Sequence, residues 1–65
     1  MSYYVRQSGF DGTCLKSSVD VIRHLCDLFG WNFADRFEHL LPQIESIQKG
    51  CALKHPDLSL SIERY

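Results

Sequence analysis

Between Leu15 and Cys51 the apolar residues recur at intervals of three and four, with one interruption at Gly30-Trp31-Asn32. This spacing brings side chains onto one face of an α-helix and does not suit a strand. It predicts two amphipathic helices joined by a tight turn. In the first, Leu15, Val19, Ile22, Cys26 and Phe29 form the stripe, and Val21, Leu25 and Leu28 widen it. Thr13, Ser17 and Ser18 are possible N-caps, so the helix starts at Cys14 or Ser18 and ends at Phe29. Gly30 suits the left-handed residue that closes a helix, and Asn32 suits the cap of the next one. Trp31, just before that cap, is placed to staple onto the following turn.

The second helix has a narrower seam of Phe33, Phe37, Leu40, Ile44, Ile47 and Cys51, thickened by Leu41. Pro42 interrupts it, lacking an N–H and crowding the carbonyl four residues back. Because the seam stays in phase across the proline, a continuous helix kinked at Pro42 and stopped at Gly50 is expected. A helix that ends near Leu41, with Pro42 opening a new turn, is the alternative.

The flanks read as strands. Tyr3, Tyr4 and Val5 favour an extended segment over residues 2–7, and Leu58, Leu60 and Ile62 alternate with polar residues toward Arg64 and Tyr65. Ser8 to Thr13 reads as a loop, in which Phe10 is expected to fold back onto the helices, and residues 51–57 read as a connector. The expected fold is therefore mainly α, a β-α-α-β helical hairpin with short terminal strands. At 65 residues it forms one small domain.

Such a chain buries only about 60% of the surface it exposes when unfolded. Both helices show more apolar surface than they can bury against each other. A homodimer pooling four amphipathic helices in one core is the expected remedy.

Charge and cysteine content exclude more than they identify. A net charge of -1 gives little purchase on phosphate, so nucleic acid is not the expected partner. The second helix opens with Asp35, Arg36, Glu38 and His39, a mixed set poorly suited to a recognition helix. Three cysteines cannot all pair within one chain, and no leader or membrane-spanning stretch is legible, so a reduced cytoplasmic protein is expected. His24, Cys26, His39, Cys51 and His55 are the possible metal ligands, but Cys51-x3-His55 has no second pair to complete a zinc site. Cys14, near a helix start, lacks the partner histidine context of a catalytic thiol. No cofactor, no metal and no enzymatic activity are expected.

Protein binding is the function that remains. Tyr3, Tyr4, Phe10, Trp31 and Tyr65 lie outside the helical stripes and are the expected contact residues, since Tyr and Trp are enriched at interface hot spots. The sequence points to a small adaptor or inhibitor that binds itself and another protein. A dimeric DNA-binding regulator is the alternative.

Overall fold

The computed structural model describes residues 2–9 and 11–65. Seven elements follow in order: β1 (Tyr3–Gln7), β2 (Thr13–Leu15), α1 (Ser18–Phe29), α2 (Phe33–Glu45), β3 (Ala52–His55), a 3-10 turn (Pro56–Leu58) and β4 (Leu60–Arg64). The strands form one antiparallel sheet in the order β2-β1-β4-β3. One hairpin precedes the helices and one follows them, and the sheet centre pairs β1 with β4, Val5 opposite Ile62.

The mainly helical expectation, with its β-α-α-β order and dimeric four-helix core, is therefore corrected. The chain is α+β, with two helices and four strands. The apolar surplus of the helices is covered by the sheet of the same chain. Tyr3, Val5, Leu60 and Ile62 share the core with Val21, Ile22, Leu25 and Ile44. The terminal strands pair with each other within the chain, and two further strands flank them.

Local chemistry explains the helix ends. Ser17 caps α1 by accepting from the Asp20 N–H at 3.2 Å, and Asn32 caps α2 by accepting from Asp35 N–H at 3.1 Å. Gly30 closes α1 with φ 70°, in the left-handed region where a side chain would be strained. Leu15 lies in β2, outside the helix its spacing suggested. Helix α2 runs through Pro42, so no new helix begins there, but it ends at Glu45, well before Gly50. Proline leaves the Glu38 carbonyl without its helical donor, and the helix continues for less than one turn beyond it. Ile47 still reaches the core, whereas Cys51 is exposed.

Arg64 ties the last strand to the end of α2. Its Nη1 donates to the Ile47 carbonyl and, at 3.4 Å, to the Glu45 carbonyl, and its guanidinium lies 5.9 Å from the centre of the Tyr3 ring. A cation is thereby held at the negative end of the helix, beside carbonyls that lack helical donors. No helix among the described residues is long and apolar enough to cross a membrane.

Candidate cleft beside Trp31

Helix α2 covers the sheet incompletely. Of its residues only Ile44 is buried, and the exposed polar residues His39 and Gln43 stand on its flank toward β3 as part of the cleft lining. The result is a cleft of about 280 Å³ between α2, β3 and the 3-10 turn. Leu25, Ile44, Leu60 and Ile62 line it from the core, and Leu40, Leu53 and Leu58 extend that apolar lining. Its polar lining is Arg36, His39, Gln43 and His55, with no carboxylate among the lining residues. The cleft thus joins an apolar surface to hydrogen-bond donors and one fixed positive charge.

Trp31 lines this cleft at the interhelical corner. Its ring stacks on Phe29 with centroids 4.8 Å apart and an interplanar angle of 24°. The Arg36 guanidinium lies 4.5 Å from the ring centre on the first turn of α2, where a hydrophobic staple would place an apolar partner. Trp31 is half-buried and held from two sides. It also borders a shallower groove with Arg23, Cys26, Asp27 and Phe33. Arg23 lies 5.6 Å from the centre of the Phe33 ring, which is itself 36% exposed.

The other expected contact residues are dispersed. Tyr3 is 2% exposed and belongs to the core, so it is not a surface contact. Tyr4 lies on the opposite face of the sheet, its ring across Gly12, where an added Cβ would fall 2.0 Å from the tyrosine oxygen. The Arg6 guanidinium stands 5.0 Å from the centre of that ring, and Arg6 Nε approaches Glu63 Oε1 to 3.6 Å. Tyr65 is 52% exposed and donates its hydroxyl to Glu63, which raises its pKa from the ordinary value. Tyr4 and Tyr65 therefore share a polar cluster with Arg6 and Glu63, on the side of the sheet away from Trp31. Phe10 lies outside the described residues.

Metal-ligating and nucleophilic side chains do not converge. Among the described residues no group of three or more His, Cys, Asp or Glu side chains is placed to hold a metal ion. His39 and His55 both line the cleft, while Cys51 is exposed ahead of β3. Cys26 is buried, and its thiol pKa is raised chiefly by burial and further by Asp27, with Arg36 opposing. Cys14 and Cys51 are exposed. In a timed reaction with Ellman's reagent, Cys14 and Cys51 are expected to react promptly and Cys26 only on unfolding. A single rate for all three thiols would contradict that assignment.

The cleft residues Arg36, Gln43 and His55 were not legible as a group, because β3 read as a connector. The available signal was the alternation of Leu53 and His55 with Ala52 and Lys54, half of a period-2 pattern. No protein-family model, characterised protein or solved structure matches the chain.

Proposed function

We propose that this chain is a small non-enzymatic adaptor or inhibitor that acts by binding another protein through the cleft beside Trp31. The observation that carries the proposal is an open, mostly apolar cleft with no carboxylate in its lining, bordered by a tryptophan packed between Phe29 and Arg36. Its volume of about 280 Å³ and its mostly apolar lining accommodate an anchoring side chain of a partner. Trp and Arg are the residue types that most often dominate binding energy, and Trp31 and Arg36 already hold each other in place. A partner would therefore meet side chains that lose little freedom on binding. The three free thiols fit a reducing compartment such as the cytoplasm. The apolar surplus that argued for a homodimer is taken up by the sheet, so the proposal rests on a different protein as partner.

Selection from a displayed random-peptide library against the folded chain tests this reading. Enriched peptides are expected to perturb the NMR signals of Leu40, Leu53 and Leu58. Trp31→Ala should weaken them by about 2 kcal/mol, some thirtyfold in Kd, while circular dichroism stays native. Tyr4→Ala, on the far face of the sheet, should leave affinity within about twofold, as surface changes away from a contact do. No enrichment, or affinity lost in Tyr4→Ala and kept in Trp31→Ala, would overturn the proposal.

A further inference from the structure

Strand β3 is an edge of the sheet, and the space beside it is not flat solvent. The cleft shares Gln43 and Leu53 with a second groove of about 320 Å³ lined by Ser46, Ile47, Gln48 and Ala52. Together they form one trough, running the length of β3 beneath α2. The backbone along the trough is unpaired on one side. In an antiparallel ladder successive residues turn their N–H and C=O groups alternately to the two flanks. Arg64 N–H donates to the Cys51 carbonyl at 3.0 Å, so Leu53 and His55, two and four residues further on, turn theirs toward β4. Ala52 and Lys54 turn theirs outward, and among the described residues no strand lies on that side.

We infer that β3 receives an extended peptide segment of the partner as a fifth strand, with apolar and acidic side chains of that segment entering the trough beneath α2. The inference rests on the reading of the cleft as a protein-binding site and specifies the partner's form. Main-chain hydrogen bonds to Ala52 and Lys54 supply the pairing, and alternate side chains supply the selectivity, as in other strand-addition sites. The charge is complementary in one direction only. Arg36 supplies a positive charge and His39, Gln43 and His55 supply N–H donors, while neither groove is lined by Asp or Glu. A carboxylate on the incoming strand is therefore matched, and an incoming Lys or Arg faces like charge. A second copy of this chain paired through β3, whose sequence is Ala52-Leu53-Lys54-His55, would bring no carboxylate from that strand to Arg36.

The test uses the tightest peptide from the library selection and the same peptide methylated on alternate backbone nitrogens, in each of the two phases. The expected sequence alternates apolar and acidic residues with residues of other kinds. Binding should slow amide hydrogen exchange at Ala52 and Lys54 by at least about tenfold. Methylation in the phase that faces β3 should abolish binding, and methylation in the other phase should spare it. A peptide that perturbs Leu40 and Leu58 without protecting Ala52 and Lys54 overturns strand addition and leaves the binding proposal standing. A peptide rich in Lys and Arg overturns the charge argument. A doubled mass in light scattering, with Ala52 and Lys54 already protected in the free protein, assigns the edge to a second copy and overturns the inference. A library that yields no binder overturns the inference and the proposed function together.

Discussion

Ile22→Ala is expected to lower the stability of the chain by about 3 to 4 kcal/mol. Ile22 is 0% exposed and sits on α1 where the helix faces both the sheet and α2. Truncating it removes buried methyl groups and leaves a cavity whose walls cannot all move inward. Both neighbours are held from elsewhere: the sheet by its ladder, and α2 by its cap and by Arg64. Domains of this size have roughly 3 to 10 kcal/mol in total, so the variant stands at the edge of unfolding at room temperature. Ile22→Val, which removes one methyl group, should cost only about 1 kcal/mol. Urea titration followed by circular dichroism measures both. A cost below about 1 kcal/mol for the alanine variant would mean that the helix layer does not rest on the sheet as described.

The second large effect is at Arg64. Arg64→Met keeps much of the aliphatic stem over the sheet and removes the guanidinium from the Glu45 and Ile47 carbonyls and from the Tyr3 ring. Charge-assisted hydrogen bonds of this kind contribute about 2 kcal/mol, and the helix-end charge adds to them. For a chain of this length that is a fall in Tm of about 8 to 16 °C. Arg64→Lys restores a cation without the fork and should recover only part of it. Thermal melts of the three proteins decide the matter. If the methionine variant melts within about 2 °C of the parent, the carbonyl contacts are incidental to stability.

The helices were legible because their signals are local. Ser17, Gly30 and Asn32 act within a turn of their own position, and the caps stand where their chemistry asks. Periodicity carries no information about where a helix stops. Ile47 and Cys51 continue the seam in phase, yet the chain leaves the helix at Ser46 and turns through Gly50 at φ 83°. The short strands were hidden for a related reason. Thr13-Cys14-Leu15 and Ala52-Leu53-Lys54-His55 are too brief to show alternation, and the second has no β-branched residue. Their conformation is set by pairing with β1 and β4, a tertiary effect. Tyr3 was misjudged although a signal was present. Arg6 marks one face of its strand as wet, which puts Tyr4 on that face and Tyr3 with Val5 on the other. Of the candidate site, Trp31 was legible as a corner residue. The cleft beside it was not, since one wall of it, Leu53, His55 and Leu58, comes from strand β3 and the turn that follows.

The sheet centre joins the beginning of the chain to its end. Strands β1 and β4 pair over their full length, and beyond them Ser2 and Tyr65 exchange backbone hydrogen bonds at 3.3 and 2.9 Å. Each flanking hairpin can close locally, and the helical turn needs only its own caps. The middle pair must instead close a loop of more than fifty residues, an entropic cost that grows with the logarithm of that length. Folding thus depends on the most distant contact the chain makes, and during synthesis its two best-buried strands stay apart until the last of them has emerged.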